Sequence, residues 1–256
     1  MTKNLRASLL LFALTLLICS VLYPAVLLAF GQTLFPNKAN GSLVARTDGT
    51  AVGSTQIAQA FTKDEYFWPR PSAASYNAAA AGGSNWGASN PKLRDRVAQQ
   101  LGPIIRYKRG SASAGTGPEP RTPQQDVEAW FAAGPDRGAA AHANFFDMWL
   151  QDPANRSKVA DLEPVPADMV TASGGGLDPH ITLRNALSVY QLDRVAAKRT
   201  PRGGNDLQVR SDIAELARRQ SFAPLSGLVG EPLVNVLKLN VELDRQFPVP
   251  PAHAGR

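Results

Sequence analysis

The residue types best suited to chemistry gather in one stretch of the 256-residue chain, Ser173-Gly174-Gly175-Gly176-Leu177-Asp178-Pro179-His180. A serine, a carboxylate and an imidazole are the members of a hydrolytic triad. A triad is a spatial arrangement, however, and neighbours on one loop seldom meet it. No G-x-S-x-G elbow accompanies them, and the single cysteine, Cys19, sits in an apolar run. The glycines suit a second chemistry. Backbone amides of such a loop, with the start of a following helix, can bind an anion. The competing reading is a tight connection in which Asp178 and Thr182 cap a helix. Ser173, Gly174, Gly175, Gly176, Asp178 and His180 are therefore the candidate residues for an anion or nucleotide. A second glycine-rich stretch, Gly82-Gly83-Ser84-Asn85, lacks the G-x-x-x-x-G-K-[ST] pattern of a phosphate cradle and reads as a turn. The three histidines, His142, His180 and His253, are far apart, so no paired metal-ligand spacing exists and no bound metal is expected.

The elements around the loop follow from periodicity. Met169 to Ala172 is a short buried-strand candidate leading into it. Beyond it, Thr182 is placed to cap a helix with Leu183, Leu187, Tyr190, Val195 and Ala196 on its apolar face. Asp206 to Arg219 reads as a second helix, with Val209, Ile213, Leu216 and Ala217 aligned. Leu233 to Asp244 fits two patterns: alternating Leu237, Leu239, Val241 and Leu243 suit a strand, while Leu233, Val236, Leu237 and Val241 suit a helix. A strand passing into a short helix is the expectation. Upstream, the Asn40-Gly41 and Asp48-Gly49 turns flank short runs that predict a small β-meander. Phe61 to Pro91 is too rich in Gly, Pro, Ser and Asn for regular structure. After it, Leu93, Val97 and Leu101 mark a helix, with Asn90 as cap and Pro91 at its first position.

Residues 102–163 read as an insertion. Gly110 to Gly117 has the composition of a flexible linker. Thr122-Pro123-Gln124-Gln125 is a capping box opening a helix to Ala133, and a second helix is expected over Ala139 to Leu150. Trp130 and Trp149, with Phe131, Phe145 and Phe146, either bury one another or form a docking surface. Arg106, Lys108 and Arg109 are the tightest basic group. The net charge of +6 is mild and scattered, which reads as a solvated surface; no basic stripe with interleaved aromatics points to nucleic acid.

The longest apolar run is Leu5 to Phe30, uncharged from Ala7 onward. About 24 residues give roughly 36 Å of helix, enough to cross a hydrocarbon core of about 30 Å. A cleaved signal peptide would have a shorter core and a small-x-small site, and a buried core helix is the remaining alternative. Pro24 inside the run hints at a kink or a packed face. Lys3 and Arg6 precede the span and Lys38 follows it, so the N-terminus is expected in the cytoplasm and the rest outside. The expected fold class is α+β: one N-terminal transmembrane helix followed by a mixed extracytoplasmic domain with a large insertion. The expected division is a cytoplasmic 1–6, a helix at 7–30, a domain at 31–247 and a disordered tail at 248–256.

Several motifs in fixed order carry a resemblance. They are Tyr23-Pro24, Gly31-Gln32, Phe35-Pro36 with Ala39-Asn40-Gly41-Ser42, and Tyr66-Phe67 with Arg70-Pro71-Ser72-Ala73. Gly82-Gly83-Ser84-Asn85, Ser89-Asn90-Pro91, Val170 to Ile181 and Pro224 to Asp244 continue the series. Together they resemble the C-subunit family of the bacterial Kdp high-affinity potassium-transporting ATPases. The resemblance omits about 102–163 and the tail. It implies a non-catalytic accessory subunit in the bacterial inner membrane, stabilising assembly with a P-type ATP-hydrolysing subunit and a potassium-channel-like subunit. ATP, whose affinity the family is described as raising, enters as an implication of the resemblance alone; the flanking charges set the domain across the membrane from cytoplasmic ATP. Partner contact is expected at Tyr23 and Pro24, and with the resemblance at Tyr66, Phe67, Arg70 and Asn85. The alternative is a stand-alone membrane-tethered domain with an anion or nucleotide site at the glycine loop.

Overall fold

A computed structural model of the chain describes residues 2–45, 49–115, 121–133, 145–201 and 203–250. Two units are distinguished, 1–56 and 57–256. The mixed α+β class holds, with one long apolar helix at the N-terminus.

In the first unit, α1 (Thr2–Leu17), a π-helical turn (Ile18–Leu22) and α2 (Tyr23–Leu34) run on without a break. Asn4 to Leu34 is long and apolar enough to cross a bilayer, and its apolar side chains are exposed throughout. The π turn has a local cause. Pro24 lacks the N–H that would bond four residues back, and its ring would press on that carbonyl. One residue earlier, Tyr23 N–H bonds to Ile18 O, five residues back, so the ladder widens just before the proline. Hydroxyls in the span bond backward, Thr15 Oγ1 to Leu11 O at 2.8 Å and Thr33 Oγ1 to Ala29 O at 2.6 Å, so neither hydroxyl needs water. A one-turn helix, α3 (Pro36–Ala39), precedes an antiparallel hairpin of β1 (Leu43–Ala45) and β2 (Ala51–Ser54). The meander is thus two-stranded, and it groups with the N-terminal helix in the first unit.

The second unit is built on a small antiparallel sheet. Its strands are β3 (His180–Thr182), β4 (Ser221–Phe222) and β5 (Leu233–Asn235), in the order β3-β5-β4 with Ile181 opposite Val234. Helices α8 (Leu183–Ala186), α9 (Val189–Arg199), α10 (Asp206–Gln220) and α11 (Val236–Gln246) pack with it. Buried Leu192, Val195, Ala196 and Arg199 fall on one stripe of α9, and Val236, Leu239, Asn240 and Leu243 on one stripe of α11. Phe67, Ile181, Leu192, Ile213, Leu216, Val234, Leu239 and Leu243 form the core.

Two expectations are corrected, and the strand passing into a helix over Leu233 to Asp244 is found. Met169 to Ala172 is no strand: Ala167–Met169 is a 3-10 turn, and the strand comes later, at His180. The helix after Thr182 lasts four residues before Ser188 caps a new one, because the extended backbone of Ser188 breaks the run. After Asn235 the helix takes over, since the Asn235 side chain accepts Lys238 N–H as a cap. The strand share of that segment is therefore three residues.

Residues 102–163 leave and rejoin the fold through a paired stem. α4 (Pro91–Ile104) ends there, capped at its start by Asn90 as expected. Tyr107 bridges Leu162, Lys108 N–H bonds Asp161 O at 2.8 Å, and Glu163 N–H bonds Arg106 O at 2.9 Å. Within the excursion lie α5 (Pro123–Ala132), α6 (Phe145–Gln151) and α7 (Arg156–Ala160). The capping box at Thr122 and Gln125 is formed. Its polar centre is Asp126, 2% exposed, which accepts from Tyr107 Oη at 2.6 Å, Lys158 Nζ at 2.7 Å and Arg121 at 2.6 Å. The expected linker is tied down as far as Gly115, because Ser113 donates its N–H and hydroxyl to Asp161. Residues 116–117, 139–144 and 251–256 lie outside the described residues. Trp149 is fully buried beside Phe146 and Trp130 Nε1 donates to Asp152, which favours mutual burial of these rings.

Candidate functional site

Three segments far apart in sequence meet at one place: Arg70 to Ala74, Gly82-Gly83 and Ser173 to His180. They meet backbone to backbone. Gly82 N–H bonds Gly175 O at 2.9 Å, Ser72 Oγ donates to Gly176 O at 2.5 Å, and Ala58 N–H bonds Leu177 O at 2.9 Å. Gly176 has φ +69°, and a Cβ there would stand 2.5 Å from Gly82 O. A Cβ on Gly83 would run into Gly174 O. The glycines are therefore needed where two loops touch. Three of the loop's donors are committed as well. Gly176 N–H bonds Ser173 O, Asp178 N–H reaches Ser173 Oγ at 3.4 Å, and His180 N–H bonds Asp178 Oδ1 at 3.0 Å. Within the loop, Gly174 and Gly175 stay exposed.

The serine, carboxylate and imidazole come together only in part. His180 Nδ1 lies 3.3 Å from Asp178 Oδ1, and the other Asp178 oxygen is 3.5 Å from Arg70. Ser173 is buried and its hydroxyl serves the backbone of Asp178, not His180. Among the described hydrogen bonds none joins Ser173 to His180. The ring of His180 instead packs on Phe222 at 5.3 Å, opposite Asn235 in the sheet. Arg70 also reaches Ala172 O at 3.4 Å. The group joins strand β3 to two loops, and no described contact arranges it as nucleophile and base. No cluster of three or more metal-ligating side chains occurs among the described residues.

Burial opposes ionisation of Asp178, but the bonds from His180 and the Arg70 charge outweigh it and hold its carboxyl below the usual range. Asp126 is likewise lowered: burial opposes, while Lys158 and Tyr107 donate hydrogen bonds and Arg121 adds charge. A carboxyl depressed in the folded state adds stability above its unfolded pKa of about 4, and that stability is lost as pH falls through the folded value. Urea midpoints measured from pH 6 downward should therefore fall through the acid range (about pH 5 to 3), and Asp126→Asn should flatten part of that slope. An unchanged slope in the variant would remove Asp126 as a source.

The loop contact gives a sharper expectation. Gly83→Ala should destabilise the domain by about 2 kcal/mol, since backbone must move to admit the methyl. Gly174→Ala, with nothing within 4 Å of the added carbon, should change stability by under about 0.5 kcal/mol. Equal effects in urea unfolding would contradict the close approach.

The expected contact residues have distinct fates. Phe67 is 0% exposed and wholly spent in this chain's own core, so its side chain offers no surface. Its backbone and that of Trp68 are held by two side-chain amides. Asn240 donates to Phe67 O and accepts from Phe67 N–H, both at 2.9 Å; Gln191 does the same for Trp68 at 2.9 and 3.1 Å. The pattern imitates a strand pair, with helices α11 and α9 supplying the partner groups. Tyr66 is half-buried; its hydroxyl donates to Asp244 at 3.1 Å, and Arg199 lies 5.2 Å over its ring. Arg70 is half-buried and Asn85 exposed, with φ +53°. Tyr23 and Pro24 belong to the first unit and are exposed. Gln191, Arg199 and Asn240 escaped the sequence reading, although polar residues at apolar helical positions were the available signal.

The family described as KdpC, K+-transporting ATPase, c chain, matches residues 5–123 and 119–245. A potassium-transporting ATPase KdpC subunit of Parvibaculum lavamentivorans is 38% identical over 244 residues, 95% of this chain and 97% of the relative. One of Rhodospirillum rubrum is 38% identical over 251 residues, 97% of this chain and 99% of the relative. One of Burkholderia vietnamiensis is 36% identical over 249 residues, covering 95% and 97%.

Proposed function

Because the chain belongs to the KdpC family of K+-transporting ATPase c chains, we propose that it is an accessory subunit of an ATP-driven potassium uptake complex. In this reading it performs no chemistry of its own. It is a single-pass protein of the bacterial inner membrane, N-terminus in the cytoplasm and second unit outside. Its partners are the P-type subunit that hydrolyses ATP and the channel-like subunit that handles potassium. The observation that carries this role is the helix from Asn4 to Leu34, long and apolar enough to cross a membrane, with its apolar side chains exposed. Lipid covers part of such a helix, and partner helices cover the rest.

The break at Ile18–Leu22 and Pro24 supports a packed face there, since a π turn and a proline disturb the ladder where a neighbour can lie against it. ATP is read as the catalytic partner's ligand. The amides of Gly176, Asp178 and His180 are donated within their own loop, which weighs against a nucleotide at the glycines. This chain then supports ATP use by holding the complex together. Pro24→Leu tests the contact: membrane insertion should be unchanged while co-purified partners drop several-fold. Full retention of both partners would contradict it.

A further inference from the structure

Between the stem of the 102–163 excursion and α9 lies a cavity of about 700 Å³. That is the size of a small-ligand site. Arg106, Arg109, Arg121 and Arg194 stand on its wall, with two carboxylates, Asp64 and Asp193. The carboxylates are already shared. Asp193 pairs with Arg109 at 2.8 Å and Arg210 at 2.5 Å, and Asp64 lies 4.0 and 3.9 Å from Arg194 and Lys198. Arg121 is held by Asp126, which also holds Lys158. Glu163, in the field of Asp193 and Arg210, is the remaining acid. Among the described residues four arginines thus line the concavity against two carboxylates, a surplus of two positive charges on its wall.

Arg106 is the informative member. No carboxylate pairs with it among the described residues. It donates to the carbonyls of Pro103 at 2.9 Å and Ile105 at 2.7 Å, and its guanidinium lies 4.8 Å over the Tyr190 ring. Arg194 lies 5.2 Å over the same ring, and its Nε is buried without a hydrogen-bond partner. A partly buried guanidinium that no carboxylate grips directly is costly, since buried charges are ordinarily paired. The field of Asp193 reaches Arg106, but that carboxylate is bonded to Arg109 and Arg210, so an added anion would supply the pairing that Arg106 lacks among the described residues.

We infer that this cavity binds a phosphoryl oxyanion, with Arg106 as its principal counter-cation. Guanidinium forks match phosphate oxygens, and more than one fork faces the space. A single carboxylate would answer one of the two surplus charges; a phosphate answers up to two. The anion is either free phosphate or the head group of an anionic phospholipid, two sources of the same chemistry. The site does not depend on the subunit role proposed above.

The test is calorimetric titration of the full chain in a neutral maltoside, with inorganic phosphate in one arm and dihexanoyl-phosphatidylglycerol in the other. Dihexanoyl-phosphatidylcholine is the control. One saturable site per chain is expected in at least one arm, weakened about tenfold or more by Arg106→Gln. Binding of phosphate identifies the free ion, and binding of the phosphatidylglycerol alone identifies a head group. If circular dichroism shows that Arg106→Gln does not fold, Arg109→Gln takes its place, because that side chain is 52% exposed; several-fold weakening is then expected. No binding in either arm, equal binding of the phosphatidylcholine, or wild-type affinity in the folded variant would overturn the inference.

Discussion

Replacing Arg199 by methionine is expected to lower the unfolding free energy of the second unit by about 3 kcal/mol. The Arg199 side chain is 0% exposed, and almost every donor it has is in use. It donates to Glu65 O at 2.8 Å, Leu243 O at 3.3 Å, Phe247 O at 2.6 Å and Asp244 Oδ1 at 2.8 Å, and it covers the ring of Tyr66. It thereby ties the segment before Phe67 to the end of α11, closing the core at one end. Methionine fills much of the volume but leaves three buried or half-buried carbonyls without their donor, each costing about 1–3 kcal/mol where water does not replace it. The ion-pair partner of Arg199, Asp244, is 42% exposed and returns to water, so the cost falls on the carbonyls and the emptied space. All four tryptophans, at 68, 86, 130 and 149, lie in the second unit, so tryptophan fluorescence during urea unfolding reports on it. A loss under about 1 kcal/mol would show that the carbonyls find other donors.

Asn240→Leu should cost about 3 kcal/mol by the same measurement. Leucine matches asparagine in size closely enough that no large cavity opens. What goes is the amide pair that holds Phe67 N–H and O, both buried. Phe67 needs that hold. It has no strand beside it, yet its ring is in the centre of the core, where enclosure of a phenylalanine contributes about 2–3 kcal/mol. Gln191→Leu should act in the same direction but less, since Trp68 is only half-buried. Should Asn240→Leu leave stability within about 0.5 kcal/mol of the parent, the amide clamp would have no energetic weight.

What the sequence revealed, and what it hid, divides along physical lines. Local rules were legible. Asn90, Thr122 and Asn40-Gly41 carried caps and a turn in side chains adjacent to the backbone they serve, and α10 showed its buried face by spacing alone. The apolar helix was legible for the same reason. Long-range partnerships were not. The helical spacing of α11 competed with an alternating pattern, and the outcome turned on Asn235 capping Lys238 N–H in place of continued pairing. Met169 to Ala172 had strand composition, but Asp168 is spent on Thr182 N–H at 2.7 Å and draws that segment into a turn. At the glycine loop two tasks were open, an anion site and a tight connection into the helix that Thr182 caps, and the cap is formed. Gly174 to Gly176 suggested a cradle for an anion; their neighbour proved to be Gly82-Gly83, far away along the chain and invisible to spacing. Asp178 and His180 do meet, while Ser173 turns to the backbone.

If the chain is the accessory subunit proposed above, the potassium pump is incomplete without it. The most direct test is to purify the complex in mild detergent through a tag on the ATP-hydrolysing subunit, with and without this chain, and to measure potassium-stimulated ATP hydrolysis. The expected result is co-elution of this chain with both partners, and loss of potassium-stimulated hydrolysis when it is left out. Assembly of the other two subunits with full potassium-stimulated activity in its absence would contradict the claim.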